Sequence, residues 1–210
     1  MTRQSEPSVE VVSLAELADD PVLLHELVDA INTAFRGQEN FPSDRLRYQY
    51  DSEMVDESSG DRLCAVMRLE GKIIATASVE QCRPAAGGPV DLALKTTRPS
   101  DFLLAEEGLI WEVKAVATMD SPETRGRGLA GQCIVALQHE IVSHNSLARE
   151  KGLLLWIQTI EKQNGIYWRR RGYELVGQSE LKPAGTWGAT SGFWHSTLVK
   201  RLLPEEMTST

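Results

Sequence analysis

The clearest chemical signal in this chain is Arg125-Gly126-Arg127-Gly128-Leu129-Ala130. These residues follow a segment of alternating polarity and precede one of helical periodicity, so they read as a turn that opens a helix. The first N–H groups of a helix have no acceptor within it, and they sit at the positive end of its dipole. Two glycines put no side chain in the way and two arginines stand beside them. Such a turn suits an anion, and phosphate or pyrophosphate is the expected one. Gly126-x-Gly128-x-x-Gly131 also matches the dinucleotide fingerprint letter by letter, with Glu161 as the ribose-binding acid of an NAD(P)-binding oxidoreductase. Three features oppose that reading. A loop containing Pro122 separates strand from glycines, Glu161 comes later than the roughly 20 residues required, and the chain beyond it is too short for a doubly wound sheet. No Gly-Lys-Ser/Thr follows, which excludes a P-loop. A surface turn that binds nothing is the bland alternative.

The turn must be positioned by the elements on either side. From Leu109 to Met119, apolar Trp111, Val113, Ala115 and Ala117 alternate with Glu112, Lys114, Val116 and Thr118, the period of a strand with two different faces. Beyond the turn, Leu129, Cys133, Ala136, Leu137, Ile141 and His144 recur at helical spacing, and the helix is expected to end near Lys151-Gly152.

Upstream, Val9–Leu14 reads as a strand, and Asp19-Asp20-Pro21 starts a helix running to about Phe35. Gly37–Pro42 breaks it. Ser43-Asp44 is expected to cap a second helix through Leu46, Tyr50 and Met54, followed by a turn at Glu57–Gly60. Leu63–Leu69 and Lys72–Gln81 form a hairpin joined at Glu70-Gly71. Periodicity fails over residues 82–108, a long loop insertion with a short helix expected at Phe102–Glu106. Downstream, the apolar run Leu153–Ile160 is a buried central strand. A short helix is expected over Gln163–Arg171, closed by Gly172. Tyr173–Leu181 and Phe193–Arg201 make a last antiparallel pair, joined by the loop Lys182–Gly192.

The chain has 210 residues, a length that fits one domain, here residues 9–202 between an N-terminal tail (1–8) and a C-terminal tail (203–210). A net charge of −8 argues against a broad nucleic-acid surface. No apolar run approaches a membrane span, and the N-terminus lacks a signal-peptide core. Cys64, Cys82 and Cys133 show no metal spacing, so no metal is expected, and so sparse a count fits the reducing cytoplasm.

Arg125-x-x-Gly128-x-Ala130, after a strand and before a long helix, resembles the pyrophosphate loop of the GNAT acetyltransferase superfamily. Tyr167-Trp168-Arg169-Arg170-Arg171-Gly172-Tyr173 resembles the aromatic-Tyr-x-x-x-Gly-Phe helix end of the same family. The element order is similar over nearly the whole chain. The resemblance implies a mixed α/β fold with a mostly antiparallel sheet and splayed central strands. It implies an acetyl-CoA-dependent N-acetyltransferase acting on a small-molecule or peptide amine, as a monomer or homodimer. Acetyl-CoA would be held by Arg125, Gly126, Arg127, Gly128, Leu129 and Ala130. Backbone groups at Val116, Ala117 and Thr118 would face the thioester arm, with Trp168 at its pantetheine end and Arg171 near its phosphates.

Glu112 occupies a strand position where family members often carry a base facing the acceptor; the competing reading is an ion pair with Lys114. Glu80, Glu106 and Glu107 are weaker candidates. Where the family often places the tyrosine that protonates the leaving thiol, this chain has Trp168, whose indole N–H is no useful acid. Tyr167, one residue earlier, is the fallback acid. Glu161 stands where the family often has Asn. Trp187 and Trp194, with the Gly37–Pro42 loop, are candidates to line an acceptor pocket. That departure at Trp168 keeps open a GNAT-like acyl-CoA-binding protein with weak or no catalysis, a sensor or partner module.

Overall fold

The structure, a computed structural model, describes residues 6–36, 38–56, 61–82, 104 and 106–207. The expected turn at Glu57–Gly60, most of the 82–108 insertion with its short helix, and parts of both expected tails lie outside these residues. The described residues form two compact units. One lies within Met1–Gly37, Ser43–Glu80 and Lys114–Ile141, the other within Gln38–Pro42, Gln81–Val113 and Val142–Thr210.

In the first unit, β1 (Ser8–Ser13) pairs antiparallel with β2 (Arg62–Leu69), and β2 pairs antiparallel with β3 (Lys72–Gln81), whose last residue belongs to the second unit. Between β1 and β2 lie the helices α1 (Leu14–Asp19), α2 (Pro21–Phe35) and α3 (Asp51–Asp56). The one-turn α1 went unread in the sequence although its signal is there. Ser13 accepts from the Glu16 amide and the Glu16 carboxylate takes the Ser13 amide, a reciprocal cap. Asp20 caps α2 as expected, accepting from the Val22 and Leu23 amides. Buried Leu24, Leu27, Val28 and Ile31 recur at helical spacing and pack with Leu17, Met54 and Val66. Each fully buried Leu or Ile stabilises by roughly 1.5–3 kcal/mol.

The second expected helix is shorter than its pattern suggested, starting only at Asp51. Asn32, 6% exposed, explains the difference. Its side-chain oxygen accepts from the Arg47 and Tyr48 amides at 2.7 and 3.0 Å, and its Nδ2 donates to the Tyr48 carbonyl at 2.8 Å. Amides tied to Asn32 are not available for a helix through Leu46.

β4 (Ile110–Thr118) shows the expected alternation, with Trp111, Val113, Ala115 and Ala117 buried and the residues between them half-buried. It neighbours β3. The Cys82 amide donates to the Ile110 carbonyl and the Met119 amide to the Ile74 carbonyl, so the eight steps from Ile74 to Cys82 face nine from Ile110 to Met119. β4 thus carries one extra residue. Ala115, at φ 46°, is the non-glycine residue in β4 held in the left-handed region, as expected of a bulge.

In the second unit, β5 (Leu153–Ile160) pairs parallel with β4 through Ile110–Glu112 and Leu154–Trp156. β5 pairs antiparallel with β8 (Phe193–Leu202) along its whole length. The expected strand Tyr173–Leu181 is two short strands, β6 (Glu174–Leu175) and β7 (Glu180–Lys182), both antiparallel to β8. Ile110, Leu154, Trp156, Val176 and Val199 form the core here. The fold is mixed α/β with a mostly antiparallel sheet, which is incompatible with the doubly wound parallel sheet of a dinucleotide-binding domain.

The long helix after the turn is two helices, α4 (Leu129–His144) and α5 (Ser146–Lys151), because Asn145 interrupts the first and caps the second through the Ala148 amide at 3.0 Å. α7 (Pro204–Met207) ends the described chain, after α6 (Ile166–Arg169), which is described with the site below. None of the described helices is long and apolar enough to cross a membrane.

One buried charge cluster ties the strands of the first unit. Glu80 Oε2 on β3 receives Arg62 Nη2 of β2 and Lys114 Nζ of β4, each at 2.8 Å. Arg62 also donates Nη1 to the Met54 carbonyl. Removing the carboxylate charge strands Arg62, whose side chain is 1% exposed. Glu80→Gln is therefore expected to lower unfolding stability by roughly 3–5 kcal/mol in denaturant titration.

Candidate functional site

The turn before α4 is held by one side chain that the sequence reading overlooked. Thr124 is 3% exposed. Its hydroxyl donates to the Met119 carbonyl and lies 3.1 Å from both the Ser121 amide and the Ser121 carbonyl. The Thr124 and Arg125 amides donate to the Ser121 carbonyl at 3.1 and 3.0 Å. Ser121-Pro122-Glu123-Thr124 is a serine/threonine turn in sequence, which was the available signal.

Past this knot the backbone turns through Gly126 (φ 74°) and Gly128 (φ 68°), conformations that side chains with a Cβ resist. A Cβ on Gly126 would meet nothing within 4 Å, so the first glycine is set by conformation and not by crowding. The Gln132 amide donates to the Gly128 carbonyl at 3.1 Å. The amides of Leu129, Ala130 and Gly131 therefore precede the first helical hydrogen bond of α4. The two arginines are both engaged by the loop itself. Arg125 grips Asp120 through Nε at 3.1 Å and Nη2 at 2.7 Å, an exposed pair. Arg127 Nη1 donates to the Glu123 carbonyl at 3.0 Å. The backbone is thus the fixed part of the turn, and the guanidinium groups are arms on its rim. In β4, Val116 and Thr118 are half-buried and Ala117 is buried, two residues past the left-handed Ala115.

In the second unit, Glu112 is half-buried on β4 in register with Trp156. The competing reading of Glu112 is an ion pair with Lys114, and Lys114 makes a 2.8 Å ion pair with Glu80. Of the weaker acids, Glu107 pairs with Lys151 and Glu106 is exposed. The expected helix over Gln163–Arg171 starts earlier and in a wider form, a π-turn at Glu161–Gly165 leading into α6. Glu161 supports it. Arg169 grips its carboxylate with two hydrogen bonds, at 2.5 and 3.0 Å, and the Ser196 hydroxyl donates to it at 2.5 Å. The Arg169 hydrogen bond, with that of Ser196, holds the Glu161 carboxyl below the usual range. A Cβ on Gly165 would come within 2.6 Å of that carboxylate. Glu161 is a structural acid of the second unit, with no part in a ribose site.

Trp168 is buried, 4% exposed, edge-on to Tyr167 at 4.9 Å and to Tyr173 at 5.3 Å. The Arg171 guanidinium lies over the Tyr167 ring at 3.6 Å. Burial raises the Tyr173 hydroxyl well above its ordinary range. Burial also pushes the Cys64 and Cys133 thiols up to about 12, so neither supplies a thiolate nucleophile. Among the described residues no group of His, Cys, Asp and Glu could hold a metal ion.

Solved structures share this arrangement of elements. An acyl-CoA N-acyltransferase from Pseudomonas aeruginosa superposes with a TM-score of 0.56 at 14% identity, over 93% of this chain and 99% of its own. The chain has the fold of the GNAT acyl-CoA N-acyltransferases. An N-acyl amino acid synthase from uncultured soil microbes superposes with a TM-score of 0.57 at 14% identity, over 97% of this chain and 93% of its own. The ribosomal-protein-S18-alanine N-acetyltransferase from Escherichia coli gives 0.55 at 10% identity, over 94% and 95%. No protein-family model matches the chain and no curated protein matches its sequence. In this fold the turn ahead of α4 leaves the Leu129, Ala130 and Gly131 amides without helical partners. Thr124→Val removes the hydroxyl that ties the turn while keeping its shape. Hydrogen exchange should accelerate at Ser121, Thr124 and Arg125, by the roughly 1–3 kcal/mol that a buried hydrogen-bonding group contributes, with the β5 amides unchanged.

Proposed function

We propose that this protein is an acyl-CoA-dependent N-acyltransferase, with acetyl-CoA as donor and a primary amine of a small molecule or peptide as acceptor. The observation that carries the reading is the Thr124-knotted turn. Its two left-handed glycines lead to the unsatisfied amides of Leu129, Ala130 and Gly131, on a fold shared with acyl-CoA N-acyltransferases. Three N–H groups at a helix start, with a favourable dipole, suit the pyrophosphate of CoA. Gly126 and Gly128 allow close approach, and Arg125 and Arg127 supply charge once they leave Asp120 and the Glu123 carbonyl. Val116, Ala117 and Thr118 are assigned to the thioester arm by resemblance. The left-handed Ala115 supports this, because a bulge frees strand amides from the ladder.

Acyl transfer to an amine needs a group that takes the ammonium proton, donors for the tetrahedral oxyanion, and a protonated leaving thiolate. Glu112 is our candidate for the first role, directly or through a water. Tyr167 is the fallback for the last. Its ring lies under the Arg171 guanidinium. Trp168 and Arg171 are assigned to the pantetheine and phosphate ends of the donor. The structures named above are those of an N-acyl amino acid synthase and a ribosomal-protein-S18-alanine N-acetyltransferase, which fits an amine acceptor of either size. We place the reaction in the cytoplasm, by a monomer or homodimer. A second reading, acyl-CoA binding with little catalysis, is favoured by the buried Trp168 where the family often has its tyrosine acid.

Two measurements test the proposal. Gly128→Glu puts bulk and negative charge at the phosphate position, so calorimetry should show acetyl-CoA binding lost, with the thermal midpoint lowered only by the few degrees that a side chain at a left-handed position costs. Unchanged affinity, or tight NAD(P) binding by the native protein, sinks the assignment. Glu112→Gln should slow turnover by roughly 100-fold or more while acetyl-CoA affinity changes little, and the deficit should shrink at high pH, where the amine is already deprotonated. A native rate and pH profile in that variant would make Glu112 a structural residue.

A further inference from the structure

The second unit carries an aromatic shelf around Trp187, one of the residues expected to line an acceptor pocket. Phe193 and His195, on β8, lie on one face with Ile160 and Gln158 of the paired strand β5. Trp187 covers that face from the loop between β7 and β8. Its ring stacks on Phe193 (centroids 5.4 Å, 29° between planes) and meets His195 edge-on (5.2 Å, 78°). Phe41 flanks Phe193 at 6.2 Å.

Trp187 is held against its own backbone preference. It adopts φ 53°, ψ 21°, a left-handed conformation that is strained for a bulky residue. Closed turns hold it there. The Gly188 amide donates to Gly185, Ala189 to Thr186, and Gly185 back to Ala189. The next residue, Thr190, donates its amide to the Asn40 carbonyl at 2.8 Å. Yet the ring so held is 44% exposed, while Phe193 and His195 beneath it are 4% and 9% exposed. The ring packs on Phe193 and His195 and still presents almost half of its surface to solvent.

His195 adds a directed polar group. Its Nε2 lies 3.2 Å from the Gln158 side-chain oxygen, which fixes the proton on Nε2 and leaves Nδ1 as a lone pair. Nδ1 has no hydrogen-bond partner among the described residues. Burial, with Lys182 nearby, lowers the His195 pKa and favours the neutral ring, while Glu180 beside it is paired with Lys182 at 2.5 Å. A neutral acceptor nitrogen beside an exposed indole face suits an ammonium group, which donates to the one and is attracted by the other. The exposed indole of Trp187, with the half-buried Phe41 near it, suits an apolar body and gives nothing to a polyhydroxylated one.

We propose that Trp187 and His195 form a subsite for a primary ammonium carrying an aromatic or bulky apolar body, of the class of 2-phenylethylamine. As an acceptor subsite it rests on the acyltransferase reading; as a binding site it does not. The test is calorimetric titration of the full chain with 2-phenylethylamine, 2-phenylethanol and ethanolamine, without acyl-CoA. The aromatic amine should bind, and the alcohol and the small amine should each bind about tenfold or more weakly. Trp187→Gly, which accepts the left-handed backbone and so keeps the loop, should weaken the amine about tenfold or more, as should His195→Phe. Acetyl-CoA affinity, titrated separately, should not change in either variant. Absence of 2-phenylethylamine binding, equal binding of the alcohol, or unchanged affinity in both variants overturns the subsite. A native chain that binds the amine but not acetyl-CoA keeps the subsite and refutes the acyltransferase reading.

Discussion

A helix has to begin with N–H groups that it cannot satisfy itself. Three of the described helices resolve the problem locally. Ser13 caps α1, Asp20 caps α2 and Asn145 caps α5, each with a side-chain oxygen on the first amides. α4 is built differently. The residue ahead of it is Gly128, which has no side chain to offer, and the polar side chain that a cap would need sits four residues earlier, on Thr124. Thr124 spends its hydroxyl on Met119 and Ser121 instead. The turn is therefore rigid while the helix start stays open. A site whose donors are fixed before the ligand arrives loses little freedom on binding, which is the reason for organising the backbone first.

The strand before the turn obeys a related rule. β4 alternates buried and half-buried residues, so a one-residue slip would reverse its faces. The extra residue at Ala115 changes the phase of the ladder without breaking the strand. The buried charge cluster sits beside it: Lys114, the neighbour of Ala115, reaches Glu80, which also holds Arg62. A buried carboxylate with two cationic partners fixes register more than it adds net stability, because desolvation offsets much of its attraction. The placement of this cluster next to the bulge fits a role in fixing where the extra residue lies.

Much of this was legible in the sequence. Alternation from Trp111 to Thr118, the hairpin at Glu70-Gly71 and the apolar run Leu153–Ile160 are short-range patterns, and the structure follows them. Departures arise where one side chain acts at a distance along the chain. Asn32 captures the Arg47 and Tyr48 amides and delays a helix whose own periodicity was adequate. The π-turn depends on a carboxylate, an arginine eight residues on and a serine from the last strand. No window of a dozen residues contains that set. At the site, the glycines were legible because positive φ leaves a compositional mark. Thr124 showed only as part of a serine/threonine turn, because a buried threonine in a polar loop looks like any solvated one and its burial leaves no mark. His195 left no local signal, since its partner Gln158 is distant in sequence and adjacent only through the β5–β8 ladder.

The displaced tyrosine bears on how much acid catalysis the proposed chemistry needs. Successive residues of a helix point about 100° apart, so Tyr167 and Trp168 cannot serve one direction. In α6 Trp168 takes the inward one, wedged between Tyr167 and Tyr173. A thiol with a pKa near 8.5 leaves without much help, whereas the attacking amine must shed a proton for the product to form. The burden of catalysis then falls on the proton acceptor and on the backbone donors, and less on any phenol. That division suits a chain in which the loop backbone is rigid, the half-buried Glu112 lies on a strand, and the position of the family's usual acid is filled by an indole that packs.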